Sequence, residues 1–137
     1  MQEQWIRWEP VKGLSRKYYV ESISDSIEGF KIILFDSSDR RKKVHVIFED
    51  SVDSYRSIDE SLKFRDTYEL HQQYGSKFST EWTFFKVINS SYVKWLSEQT
   101  YGTVEPEYLT HFVLLAVDSM VDIINPVEPK IEIVIEE

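Results

Sequence analysis

Alternating apolar and polar positions dominate the first third of the chain. Residues 16–23 and 44–48 alternate with a period of two, which is the pattern of a β-strand with one buried face. Residues 30–35 are apolar on both sides apart from Lys31, which indicates a strand inside a sheet. Because short polar loops join them, the three segments predict an antiparallel meander, and residues 5–8 predict a short edge strand or an anchored arm before it.

The organising unit of the chain is residues 82–101. Its first part, residues 82–88, is rich in aromatic and β-branched side chains and predicts a buried strand. The oxygen-bearing side chains of residues 89–91 suit the start of a helix, and Gly102 suits its end. The following helix is predicted to bury one stripe of residues, namely Tyr92, Trp95, Leu96 and Gln99.

The remaining segments complete the prediction. Residues 65–74 predict a helix that Gly75 ends, whereas residues 49–60 lack periodicity and are assigned to a loop. Residues 109–117 and 121–124 predict a hairpin around a tight turn. Residues 130–135 alternate as a last strand. We therefore expect a single α+β domain, residues 1–137, with a mainly antiparallel sheet of about five to seven strands and one or two helices packed on it.

Composition narrows the class of partner. The chain has 137 residues, of which 24 are acidic and 16 basic, so its formal charge is −8. Such a field repels phosphate backbones, which argues against nucleic-acid binding, and it attracts a basic protein. Residues 1–10 lack the pattern of a signal peptide, and the longest apolar segment is too short for a membrane span. We therefore expect a cytoplasmic protein that does not bind membranes.

Residues that often carry catalysis lack the spacing that catalysis requires. The chain has no cysteine, and His45, His71 and His111 show no metal-ligand spacing. Ser90 and Ser91 lack the surroundings of a nucleophile elbow and are explained as helix caps. The four glycines are isolated, so no phosphate-binding loop is present. We expect no cofactor and no metal, and a non-enzymatic function is favoured over an enzymatic one.

The most acidic segment is the candidate binding surface. Residues 49–60 carry carboxylates on both sides of a tyrosine, which is a suitable arrangement for steering and anchoring a basic protein. A solvated loop is the plainer explanation of the same pattern. The candidate partner-binding residues are Glu49, Asp50, Asp53, Tyr55, Asp59 and Glu60.

Two further functions remain open at this point. The first is a small-molecule or enzymatic site in an aromatic pocket lined by Trp82, Trp95 and His111. The second is a structural subunit that associates with itself through an edge strand, residues 130–135.

Four segments resemble a known group of proteins. They are YRSIDE (residues 55–60), FFKVINSSYVKWLSEQTYG (84–102), LTHFVLLAVDSMVDII (109–124) and NPVEP (125–129). In these segments the chain resembles small uncharacterised cytoplasmic proteins of Gram-positive bacteria, several of which resemble the immunity proteins of polymorphic toxin systems. The resemblance implies a protein that neutralises a toxin by binding it, and it implies no catalytic residue.

Overall fold

Antiparallel strands form most of the regular secondary structure in the computed structural model. The structure describes residues 2–137, residue 64 through its backbone only. Within this range the elements are, in chain order, β1 Gln4–Arg7, β2 Tyr18–Ser26, β3 Gly29–Asp36, β4 Lys42–Phe48, β5 Ser54–Asp59, a 3-10 helix Glu60–Leu62, α1 Phe64–Tyr74, α2 Ser76–Thr80, β6 Phe84–Ile88, α3 Ser91–Gln99, a 3-10 helix Pro106–Tyr108, β7 Thr110–Leu115, β8 Ser119–Asn125 and β9 Lys130–Ile135.

The strands form two antiparallel sheets. The five-stranded sheet has the order β1-β6-β7-β8-β5, and the four-stranded sheet has the order β2-β3-β4-β9. Aromatic contacts join the facing sides of the two sheets: the Phe48 and Phe112 ring centroids lie 5.8 Å apart, and those of Tyr18 and Phe84 also lie 5.8 Å apart. Side chains of adjacent residues in a strand point to opposite faces, so Phe85 and His111 lie on the far side of the five-stranded sheet.

The helices cover that far side. Phe78 of α2 packs on Phe85, with ring centroids 4.8 Å apart, and Tyr92 of α3 packs on His111 at 5.7 Å. The fold therefore has three layers: helices, the five-stranded sheet and the four-stranded sheet. Because both faces of the five-stranded sheet are covered, β7 and β8 are apolar almost throughout, and any polar side chain on the helix side must find its partners inside the protein.

The α+β class is confirmed, and so are most of the predicted elements. The β2-β3-β4 meander and the β7-β8 hairpin are present, α1 ends at Gly75, and β9 is the last strand. The strands form two sheets rather than one. The reason is that β9 pairs with β4 and extends the sheet of the meander, whereas β5 pairs with β8 and extends the other sheet.

Three local predictions were wrong. Residues 54–59 form an edge strand, because backbone pairing with β8 builds it without a hydrophobic pattern. The short helix α2 was not predicted. In α3 the buried side is rotated from the predicted stripe: Tyr92 and Val93 are buried, and Trp95 is 53% exposed.

No helix within residues 2–137 has the length and apolar character needed to cross a membrane.

Candidate functional site

The connection from β6 to α3 places a serine at a buried junction. The strand ends at Ile88, and Asn89 takes a left-handed conformation with φ of 56°, which asparagine tolerates better than most residues. This turn aims Ser90 back over the sheet. The Ser90 hydroxyl oxygen accepts the backbone N–H of Val93 at 3.1 Å, so Ser90 is the N-cap of α3.

Four polar side chains form a connected set that we call the interior network: Ser90, His111, Asp122 and Arg56. Ser90 Oγ lies 2.7 Å from His111 Nδ1, and His111 Nε2 lies 2.7 Å from Asp122 Oδ1. Arg56 Nε donates to Asp122 Oδ2 at 2.9 Å. Sheet pairing explains the assembly, because Arg56 of β5 lies directly opposite Asp122 of β8, and β7 carries His111 beside them.

The interior network is electrostatically matched, and three of its four members are buried; the Arg56 side chain is 45% exposed. Ser90, His111 and Asp122 are 5%, 4% and 1% exposed. Burial disfavours the charge on Asp122, but hydrogen bonds and charges from His111 and Arg56 outweigh burial and hold the pKa of Asp122 below its usual value. Since a carboxylate only accepts hydrogen bonds, His111 Nε2 carries a proton. The Arg56 guanidinium also lies 4.4 Å from the Tyr92 ring centroid, a cation–π contact.

This arrangement suits a structural role better than proton transfer. The hydrogen bonds of His111 do not decide this, because the histidine of a catalytic serine set is also bonded to both its serine and its carboxylate. Catalysis further needs a serine oxygen that a substrate can reach, and Ser90 is only 5% exposed. The Ser90 oxygen is engaged by His111 and by the helix N-terminus. Among the side chains that the structure describes, every buried nitrogen and oxygen has a hydrogen-bond partner. The interior network therefore ties β5, β7 and β8 to the start of α3.

A groove of about 350 Å³ runs between α1 and the start of α3, and we call it the α1–α3 groove. His111, Asp122 and Trp5 are among its lining residues. Trp95 lies beside it, in a neighbouring depression of about 400 Å³ that shares Arg56 and Ser91 with the groove.

Trp82 does not belong to this region. Its indole Nε1 donates to the backbone oxygen of Trp8 at 3.0 Å, and its ring packs on Phe84. Val87 is the residue of β6 that pairs with His111, and Trp82 precedes Val87 by five residues, about 17 Å along an extended chain. Of the predicted aromatic pocket, the structure brings Trp95 and His111 near one groove and places Trp82 elsewhere.

A second region gathers carboxylates on the surface. Glu49, Asp50 and Asp53 of the β4–β5 connection line a depression of about 470 Å³, and Glu128 of the β8–β9 connection completes it. We call these four residues the acidic depression. Lys130 is the basic residue in its lining.

The remaining candidates for partner binding lie away from the acidic depression. Asp59 ends β5, where its carboxylate accepts the backbone N–H of Ser61 at 2.9 Å. Glu60 lines a different depression together with Lys17. At about 3.4 Å per residue, the length of β5 separates Asp53 from these two by roughly 17–20 Å. Tyr55 packs on Phe30, with ring centroids 4.6 Å apart, and is partly exposed.

Sequence reasoning missed Asp122 and Glu128. Asp122 had a usable signal, because an aspartate inside the apolar segment VDII must be partnered if both faces of the strand are buried. Glu128 had none, since only the pairing of β8 and β9 with different sheets brings its loop next to the β4–β5 connection.

Within residues 2–137 no group of three or more His, Cys, Asp or Glu side chains is arranged to hold a metal ion. Comparison with known proteins adds no relative: no family model, no curated protein and no solved structure matches the chain.

Proposed function

We propose that this chain is a non-enzymatic binding protein that captures a basic protein, as an immunity protein captures a toxin. The acidic depression is the proposed binding surface. Compared with the sequence-based candidate set, the proposal keeps Glu49, Asp50 and Asp53 and adds Glu128. Asp59, Glu60 and Tyr55 lie outside the depression and are not part of the proposed contact.

The observation that carries the proposal is the state of these carboxylates. Glu49, Asp50 and Asp53 are exposed, and within residues 2–137 none of the three forms a salt bridge. Among the described residues Glu128 pairs with Lys86 alone, on the surface. The three carboxylates without a salt bridge attract lysine and arginine side chains, and the net charge of −8 increases the rate of encounter with a cationic protein.

The test is co-purification with the product of the reading frame beside the gene for this chain. We expect a stable complex that the triple variant Glu49→Lys/Asp50→Lys/Asp53→Lys weakens by about 100-fold or more, since reversing a rim charge slows association and like charges repel at the interface. The matched control is Glu98→Lys/Glu105→Lys/Glu107→Lys. Its three carboxylates are exposed near the end of α3, and it changes the net charge equally.

Equal weakening by the two triple variants would show that net charge alone drives the association and would exclude the acidic depression as the contact. Absence of any complex would contradict capture of that gene product.

A second candidate function is small-molecule binding in the α1–α3 groove. Its support is the combination of a concave site, a few convergent polar groups and the exposed Trp95 beside them. A ligand in the groove is expected to shift the indole N–H signals of Trp5 and Trp95 in NMR spectra. The signals of Trp8 and Trp82, which lie outside the lining of the groove, are the internal control. A compound screen in which no ligand produces this pattern counts against the candidate.

A further inference from the structure

β9 is an edge strand whose outer hydrogen-bonding groups are free. It pairs with β4 through the register Lys42↔Ile135 to Ile47↔Lys130, and the backbone N–H of Glu136 continues this ladder by donating to Arg41 at 2.8 Å. Backbone groups of successive residues point to opposite sides of a strand. The backbone N–H of Glu136 points toward β4. The backbone N–H and C=O groups of Ile131, Ile133 and Ile135 therefore point away from β4.

Nothing within residues 2–137 takes up these outward groups, because no further hydrogen bond to the backbone of Ile131, Ile133 or Ile135 occurs there. The side chains are also available: Ile133 and Ile135 are 42% and 67% exposed. Their side chains lie on the same face of the sheet as Ile131 and as the buried Val44 and Val46 of β4. This face points toward the core. The edge therefore offers backbone partners and an apolar surface together.

The other sheet edges are less suited to pairing with a second chain. β2 has a bulge between Val20 and Ser22, and β1 has four residues. β5 has six residues in a continuous register, as β9 has, but it offers no row of isoleucines to a second chain. Bulges and short edges are the devices by which proteins prevent strand addition. β9 has six residues in a continuous register and carries isoleucine on its core-facing side, so it lacks these devices.

We propose that two copies of this chain associate through antiparallel pairing of β9 with β9 of the second copy, which joins their four-stranded sheets into one. Hydrogen-bonded pairs must be formed between the outward-pointing residues 131, 133 and 135. Placing Ile133 on the two-fold axis pairs Ile131 with Ile135 of the second copy. It also sets Lys130 opposite Glu136 of the second copy, an attractive pair.

Charge selects this register over its neighbours. Shifting one strand by two residues in one direction places Glu132 opposite Glu132 of the second copy. Shifting it by two residues in the other direction places Glu132 opposite Glu136 of the second copy. Like charges directly opposite each other are destabilising, so both shifted registers are disfavoured. The chosen register keeps glutamates apart and aligns three isoleucines from each copy on one face.

The first experiment is sedimentation velocity of the full chain over a range of concentrations, from about 1 to about 500 μM, the range in which weak dimers dissociate. We expect a concentration-dependent dimer that Ile133→Lys weakens by at least about tenfold, since the two lysines would face each other on the axis. The control is Ile27→Lys, which changes a fully exposed isoleucine in the β2–β3 turn. A wild-type chain that stays monomeric throughout, or a dimer that Ile133→Lys leaves intact, overturns the proposal.

Two further variants test the register itself. Glu136→Lys is expected to weaken the dimer, and the charge swap Lys130→Glu/Glu136→Lys is expected to restore part of it. The restoration is partial because, within one chain, Glu136 also pairs with Lys43 and Lys130 also pairs with Glu132. Because the chain has no cysteine, Ile133→Cys introduces a single thiol on the axis. The Cα atoms of a hydrogen-bonded pair lie about 5.5 Å apart, which is within disulfide range. Mild oxidation should cross-link Ile133→Cys much faster than Ile27→Cys, and equal rates would exclude this register.

Discussion

The interior network and the acidic depression use the same kinds of side chain for opposite purposes. In the interior network Asp122 has both oxygens bonded and is 1% exposed. In the acidic depression Glu49, Asp50 and Asp53 are exposed and unpaired within the described residues 2–137. The buried side chains thus have their polar partners inside the protein, whereas the three surface carboxylates face solvent.

The difference follows from the solvent around each group. A charge taken out of water must be matched by partners, and once matched it has little capacity left for a ligand. A charge in water needs no partner, so it keeps its capacity to bind and to attract over about 8–10 Å at physiological salt. A serine, a histidine and an aspartate within hydrogen-bonding distance are therefore insufficient to indicate catalysis. What matters is whether a substrate can reach the serine oxygen, and Ser90 is 5% exposed and caps α3.

The largest effect is expected for Asp122→Ala. The substitution leaves the buried His111 Nε2–H without an acceptor, which costs about 1–3 kcal/mol, and it removes the carboxylate that pairs with Arg56. Because the Arg56 side chain is 45% exposed, water can solvate it and this second loss adds little. Urea denaturation measures the loss in the free energy of unfolding. Asp25→Ala, which removes an exposed carboxylate in β2, is the control and should change it by less than about 0.5 kcal/mol. Similar losses for the two variants would remove the distinction between interior and surface carboxylates.

Lys17 is a second interior charge and gives a prediction for pH. Its ammonium donates to the backbone oxygens of Ser79 at 3.0 Å, Trp82 at 2.9 Å and Leu115, and burial lowers its pKa to about 8. The unfolded chain, with the ordinary pKa of 10.5, binds more protons than the folded chain between these values. The free energy of unfolding should therefore rise with pH from about 8 to about 10, by up to ~1.4 kcal/mol per pH unit.

Urea denaturation at several pH values across this window measures the slope. Lys17→Met should lack it, and so should Lys17→Arg, which is the variant to use if the methionine does not fold. Lys12→Met, at an exposed lysine, should keep the slope. A wild-type curve that is flat or falls between pH 8 and 10 contradicts the prediction.

A smaller loss is expected for Ser90→Ala. The variant removes the N-cap of α3 and the partner of His111 Nδ1, and a lost cap of this kind costs about 1–2 kcal/mol. Ser91→Ala is the neighbouring control, because within residues 2–137 the Ser91 hydroxyl bonds the Glu3 side chain and no other group. Amide hydrogen exchange in α3 distinguishes the two, since only Ser90→Ala should lower protection at the start of the helix. Equal protection in both variants would mean that the interior network does not anchor α3.

The interior network also marks the limit of what the sequence could predict. Local patterns were sufficient for β6, the Ser90 cap and the β7–β8 hairpin, because strand periodicity, helix caps and turns are set by neighbouring residues. The pairing of Arg56 with Asp122 joins positions 66 residues apart. β5 itself was assigned to a loop, since backbone pairing rather than apolar alternation forms that edge strand.

The acidic depression was predictable in part, because three of its four residues are neighbours in the sequence. Glu49, Asp50 and Asp53 are close in sequence and stay close in space, whereas the direction of β5 carries Asp59 and Glu60 away from them. Sequence proximity therefore predicts a common surface only within one connection. Along an intervening strand, the distance between two residues grows by about 3.4 Å per residue. Residues of other loops, such as Glu128, then lie closer to the depression than the next acidic residues of the same segment.

The smallest effect on stability is expected for Glu49→Gln/Asp50→Asn/Asp53→Asn. These carboxylates repel one another and hold nothing in place, so their neutralisation should leave the free energy of unfolding unchanged or raise it by a few tenths of a kcal/mol. Any gain should shrink as salt rises from about 10 mM to about 500 mM, because screening shortens the range of the repulsion from roughly 30 Å to a few ångströms. Urea denaturation at the two salt concentrations measures both quantities. A loss above about 1 kcal/mol would mean that the acidic depression, like the interior network, serves the fold, and its carboxylates would then no longer be free for a partner.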